Sequence, residues 1–192
     1  MQDHSFRTYC QQFFSFTDAQ WANTLLFFER VEVPEHFLLL EEGKVCSHFY
    51  FLEQGLVRFF VWDDGVDRTK YFSLAPQLFT STESFARQLP AQENIQTLEP
   101  CALWRISREQ MDELYGRVPE WNTLIRKLLA EVAAATDEEM KVAKYEQARD
   151  RYQSLLTEAP ELIQRVPLKH LATYLGIAPE SLSRIRRQIQ QA

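Results

Sequence analysis

Three cysteines, five glycines and no apolar run of bilayer-spanning length set the first limits on this 192-residue sequence. Cys10, Cys46 and Cys101 are odd in number and form no CxxC or Cys/His cluster, which excludes a disulfide framework and a structural zinc site and predicts free thiols. So few glycines, with eight prolines scattered among them, exclude a collagenous or broadly disordered chain. Without a stretch of roughly 18–20 apolar residues, and without a basic-then-apolar start after Met1, neither membrane association nor secretion is expected, and the predicted location is cytoplasmic. Histidine is equally scarce. His4, His36, His48 and His170 do not provide the HxH with a later Glu and His that a metal-holding barrel enzyme would use. No catalytic residue, metal ligand or cofactor is therefore assigned, and the chain is expected not to be an enzyme.

What is present is enough apolar material for a real core, at 45% of residues, and a net charge of −6 that taken as a whole disfavours nucleic acid as a partner. The charge is not evenly spread. From Pro167 to the end, Lys169, Arg184, Arg186 and Arg187 stand against the single Glu180, so an acidic body carries a small basic tip.

The texture changes twice along the chain. Phe13, Phe16, Trp21, Leu25 and Phe28 recur close to a helical repeat between Phe13 and Arg30, with Thr17-Asp18 as a cap, and predict one or two short helices. From Glu32 to Ser107 short β-rich runs follow: Phe37–Leu40, Phe49–Leu52, Leu56–Trp62, Arg68–Phe72, Asn94–Leu98 and Ala102–Ile106. Their spacing predicts a sandwich or barrel, with Asp64-Gly65 at a hairpin turn that demands positive φ. Ser107-Arg108-Glu109-Gln110 fits a capping box, and Pro119 opens a longer helix at its first turn. Trp121, Ile125, Leu128, Val132, Ala135, Glu139 and Val142 follow one another in steps of three and four. This periodicity serves a two-stranded seam with a partner helix and a stripe against the chain's own barrel equally well. A further helix is predicted over about Tyr145–Glu158, ending near Ala159-Pro160.

Pro167–Arg187 is the most informative stretch. Two short helices flank a turn at Gly176, and Pro179 restarts the helix at its first position. Leu171, Leu175, Ile177, Leu182 and Ile185 form a locking apolar side with small Ala172 at the approach, while Glu180, Ser181, Ser183, Arg184 and Arg187 lie opposite. The pattern is that of a helix-turn-helix.

In this order and spacing the chain resembles the cyclic-AMP receptor/fumarate-nitrate regulator (Crp-Fnr) family of bacterial transcription factors over nearly its whole length. The resemblance rests on Glu42-Gly43 with Phe49–Arg58, on Leu98–Ser107, and on Pro167–Arg187, above all Leu182-Ser183-Arg184-Ile185-Arg186. It implies an α+β chain with three parts. Residues 1–118 would form a cyclic-nucleotide-binding-type, jelly-roll-like β-roll with flanking helices. Residues 119–144 would form a dimerisation helix, and 145–192 a DNA-binding helix-turn-helix. It further implies a homodimer, joined through Trp121, Ile125, Leu128, Val132 and Ala135, on an inverted repeat in double-stranded DNA. Glu180 and Arg184 match the family's base-reading positions, where they would address cytosine N4 and guanine O6/N7. Ser181 and Ser183 would meet bases or phosphates, and Lys169, Arg186 and Arg187 phosphates. Ala178 stands where the family often has a capping hydroxyl.

The departures lie in the effector site. Aligning Glu83-Ser84-Phe85 and Asn94-Ile95-Gln96 with the family puts Thr80-Ser81 where Gly-Glu is expected and Ala91-Gln92-Glu93 over the Arg that would hold a cyclic phosphate. That Arg is missing and Glu93 brings a like charge, so cyclic AMP is not expected to bind in the usual mode. Thr80, Ser81, Glu83, Ser84, Arg87, Ala91 and Gln92 are the degenerate pocket positions, Arg87 being the one cation that would substitute by reaching inward. Three cysteines cannot supply the four thiolates of an iron–sulfur cluster, and isolated His36, Cys46 and His48 are read as structural rather than as haem ligands. The effector stays open: an unidentified small molecule, or none. The alternative from another class is a ligand-binding or protein-interaction β-roll that has lost DNA binding.

Overall fold

The computed structural model describes residues 3–145 and 147–191, and their side chains except over 136–145. Two helices, α1 (His4–Cys10) and α2 (Asp18–Leu25), precede a roll of eight strands. These are β1 (Glu29–Val33), β2 (Leu38–Leu40), β3 (His48–Gln54), β4 (Leu56–Asp63), β5 (Val66–Leu74), β6 (Gln77–Phe79), β7 (Asn94–Thr97) and β8 (Cys101–Ser107), with the short α3 (Thr82–Arg87) inserted before β7. Then come α4 (Arg108–Arg117), the long α5 (Glu120–Tyr145), α6 (Ala148–Glu158), α7 (Pro160–Arg165), α8 (Leu168–Tyr174) and α9 (Pro179–Gln190). The strands pair antiparallel in two four-stranded sheets ordered β1-β8-β3-β6 and β2-β7-β4-β5. The chain is therefore the expected α+β β-roll followed by a long helix and a helix-turn-helix.

Local chemistry accounts for the joints. Asp64 and Gly65 both take positive φ, 49° and 76°, as a two-residue hairpin between β4 and β5 requires. Thr17 with Gln20 and Ser107 with Gln110 form complete capping boxes at the starts of α2 and α4. Gly55, at the β3–β4 turn, has φ +114°, and a Cβ there would lie 2.4 Å from Cys101 Sγ and 3.1 Å from Cys101 Cα. All three cysteines are free and buried.

Three segments differ from the sequence reading. The helical repeat does not run to Arg30: α2 stops at Leu25 and β1 takes over, fixed by cross-strand pairs of Arg30 with Glu53 and of Arg105 with Glu29. A helix forms earlier than expected, at α1, because Phe6 stacks on Phe51 with ring centroids 4.4 Å apart and closes one end of the roll. Pro160 ends α6 but also starts α7, where its lack of an N–H costs nothing.

The main core is aromatic and lies between the sheets and the N-terminal helices. Trp121 of α5 is fully buried against Phe16 and Phe28, and its indole N–H donates to Thr24 Oγ1 at 2.9 Å. Leu124 and Leu128 are buried in the same core, and Ile125 packs at its margin. Trp121 and Leu128, read as seam residues for a partner, thus serve their own chain, the second destination that the periodicity allowed. Beyond them the helix turns another face outward. Leu129 and Val132 are 44% and 45% exposed, and Ala135 is exposed. Glu139 and Val142 lie outside the residues whose side chains are described.

A second core joins the two halves of the chain. Leu56 and Leu98 of the roll pack with Tyr152, Leu162, Val166, Leu171, Leu175 and Leu182. In this way α8 covers β5, an edge strand whose Thr69 N–H donates to Thr173 Oγ1 at 3.2 Å. Phe72 and Tyr174 meet edge to face with centroids 5.3 Å apart, and Glu99 accepts from Arg165.

Candidate nucleic-acid interface and the β-roll pocket

The turn between α8 and α9 is a Schellman motif. Gly176 has φ +71°, its N–H donates to Thr173 O at 3.1 Å, and the N–H of Ile177 donates to Ala172 O at 3.0 Å. Pro179 then opens α9. Ala178 gives this helix no side-chain acceptor, and its carbonyl instead takes the N–H groups of Ser181 and Leu182 at 3.0 and 3.1 Å. Leu182 is fully buried and, with Leu171, Ala172 and Leu175, locks the two helices at a fixed angle.

That lock decides which side chains of α9 reach solvent. Glu180, Arg184 and Arg187 are exposed, Ser181 and Ser183 are half-buried beside them, and Lys169 is exposed on α8. Arg186 is placed differently from its neighbours. Its guanidinium turns back over the Tyr152 ring at 5.7 Å, with Nε and Nη2 buried, so it helps seat α9 on α6. The outward set is one acid followed by two guanidiniums over the first three turns of a helix. This suits hydrogen bonding to base edges and phosphates.

The second candidate site is a cavity of about 240 Å³ between β5, α3 and the loop before β7. Of the expected pocket positions, Ser81, Glu83, Ser84, Ala91 and Gln92 line it, together with Lys70 and Glu93. Thr80 is directed elsewhere, its hydroxyl donating to His48 O at 2.9 Å. Arg87 does not reach inward. It pairs with Glu83 one helical turn away at 2.8 Å, both side chains about two-thirds exposed, because four-residue spacing on α3 brings opposite charges together at the surface.

Glu93 is the buried charged group in the cavity wall. It is 8% exposed, and its two carboxylate oxygens are held separately, Oε1 by Ser81 Oγ at 3.0 Å and Oε2 by Lys70 Nζ at 2.9 Å. Donors that would suit an anion are thus already engaged by an anion of the chain itself. Lys70 carries no motif in the sequence; only the antiparallel path of β5 brings it to Glu93.

Among the described residues there is no group of three or more potential metal-ligating side chains, and no helix long and apolar enough to cross a membrane.

Comparison with known proteins places this geometry. Residues 30–117, just under half of the chain, match the family described as cyclic nucleotide-binding domain. No curated protein matches the sequence. Among solved structures, the chain is similar to the c-di-GMP responsive global regulator CLP of Xanthomonas campestris, with TM-score 0.73, 18% identity, and 91% and 92% of the two chains covered. It is likewise similar to a transcriptional regulator of the crp/fnr family from Eubacterium rectale, with TM-score 0.72, 16% identity and coverage of 91% and 84%. The Catabolite Activator Protein of Thermus thermophilus matches with TM-score 0.60 at 22% identity over 93% and 86%. Residues 30–117 are therefore similar to cyclic nucleotide-binding domains, and over nine-tenths of its length the chain has the fold of these solved structures.

Proposed function

We propose that this chain is a DNA-binding transcriptional regulator that binds an inverted-repeat operator as a homodimer and does not respond to cyclic AMP in the usual mode. The observation that carries the reading is the outward set Glu180, Arg184 and Arg187 on a helix whose other side is sealed by Leu182. An N-terminal Glu and a following Arg on such a helix address cytosine N4 and guanine O6/N7 in the major groove, while Lys169 and Arg187 hold phosphates on either side. The fold shared with known regulators supports this use of the helix pair.

Dimerisation is assigned to the outer face of α5 with Leu129 at its centre, in place of Trp121 and Leu128. Two copies joined there present two recognition helices about one DNA turn apart. The effector arm is assigned to Glu93, which stands in for a ligand phosphate by engaging Lys70 and Ser81. The test is retention of random genomic fragments at low salt, followed by sequencing. Enrichment of a palindrome supports the reading, and no retention removes it.

A further inference from the structure

The contact between the helix-turn-helix and the roll is built around one buried guanidinium. Arg58 of β4 is 3% exposed. It donates to both oxygens of Asp67 at 2.6 and 2.7 Å and to Gln96 Oε1 at 2.8 and 3.1 Å, and it lies 3.9 Å over the Phe60 ring. Its Nη1 is also 2.8 Å from Nδ1 of His170, a buried residue of α8. A guanidinium has only donors, so Nδ1 of His170 must be the acceptor. The imidazole in this contact is therefore neutral, with its proton on Nε2. A proton on Nδ1 would turn the acceptor into a donor and bring two cations to hydrogen-bond distance.

We propose that His170 is a proton-operated latch: neutral, it fastens the helix-turn-helix to the β-roll through Arg58; protonated, it lets α8 leave β5. This goes beyond the assignment of DNA binding and does not depend on it. The charged and titratable groups around the ring are Arg58 from β4, Asp67 from β5, His36 from the segment between β1 and β2, and Lys169 of α8 itself. Arg58, Lys169 and His36 all disfavour an imidazolium. Asp67 favours one, but both its oxygens already face Arg58. Burial first, and Arg58 second, hold the docked imidazole down to about 4, against 6.5 for a free one. The docked state thus binds fewer protons than the released state between these values, so docking is complete above about pH 6.5 and weakens as pH falls toward 4. For these two values, lowering the pH from about 7.5 to about 5 reduces the docking constant roughly 25-fold.

Exchange of the Thr69 amide, which bonds α8 across the contact, reads this equilibrium directly. In the full chain, its protection factor, corrected for the intrinsic rate, is expected to fall roughly 25-fold between pH 7.5 and 5. The protection of Phe51 and Leu103, in the sheet away from α8, stays constant. In His170→Asn, whose side-chain oxygen can take the place of Nδ1 as acceptor but does not titrate in this range, Thr69 protection becomes independent of pH. Unchanged protection of Thr69 in the wild type, or an equal fall in H170N, overturns the latch. Should H170N fold poorly, imidazole nitrogen NMR of the wild-type protein decides instead. An Nε2–H tautomer at pH 7 with a midpoint below 5 is expected, and an Nδ1–H tautomer or a midpoint near 6.5 overturns the proposal.

Discussion

Replacing Glu93 with Ala separates a pocket that is merely degenerate from one that is filled by its own chain. In the folded protein the carboxylate takes one hydrogen bond from the buried Ser81 hydroxyl and one from Lys70, whose side chain is 47% exposed. A hydrogen bond to a buried charged group contributes about 1.5–3 kcal/mol. The half-exposed ion pair adds less than about 1 kcal/mol after solvent screening. Glu93→Ala should then cost about 2–3 kcal/mol, a fall in Tm of about 5–10 °C for a chain of this size. Glu93→Gln keeps an acceptor for Ser81 and should cost about half as much. Thermal unfolding with added anion completes the test. Wild-type Tm should not move with millimolar cyclic AMP. Glu93→Ala leaves Lys70 and Ser81 facing an empty cavity, so inorganic phosphate or cyclic AMP at ten times its Kd should restore about 1.4 kcal/mol. A Glu93→Ala protein as stable as the wild type, or a wild type that cyclic AMP stabilises as strongly as the variant, refutes the reasoning.

Leu129→Asp on the outer face of α5 should convert a sedimenting dimer into a monomer without lowering the unfolding temperature of the roll, whereas Leu128→Asp, in the core, should destabilise the fold itself by several kcal/mol; a dimer unaffected by Leu129→Asp would place the interface elsewhere. Gly55→Ala must hold φ near +114° and bring a methyl against the Cys101 backbone, so a loss of about 2–5 kcal/mol is expected in urea unfolding. A loss below about 1 kcal/mol would mean that the β3–β4 turn relaxes freely. Leu182→Ala should cost about 2–5 kcal/mol and loosen α9 before the roll, visible as early loss of α9 amide protection in hydrogen exchange.

The parts of the fold legible in the sequence are those governed by near neighbours. Asp64-Gly65, the Thr17 and Ser107 capping boxes and the Gly176 turn are each decided within four residues, and they sit where local chemistry put them. The strand β1 was not legible. Glu29-Arg30 looks like the polar end of a helix until Glu53 and Arg105 arrive from distant strands to pair with it. The seam of α5 was legible as a period but not as a direction, since Trp121 and Val132 stand in one run of steps of three and four, yet the first is buried in the chain's own core and the second is exposed. In the pocket, the absence of an inward Arg could be read. The Lys70–Glu93 and Ser81–Glu93 contacts could not, because they depend on how β5, α3 and β7 converge. Least legible of all was the pairing of Arg58 with His170, 112 residues apart, where neither residue belongs to a motif that names the other.

Reading of duplex DNA by α9 through Arg184 can be checked by selection from a random duplex library with the wild-type protein and Arg184→Ala in parallel. The wild type should enrich an inverted repeat with half-sites about one helical turn apart. Arg184→Ala should still bind, with affinity lowered by about 1–3 kcal/mol and with the preference for one G·C pair in each half-site erased. Identical sequence preferences from the two proteins, or no enriched repeat from either at low salt, would contradict the account.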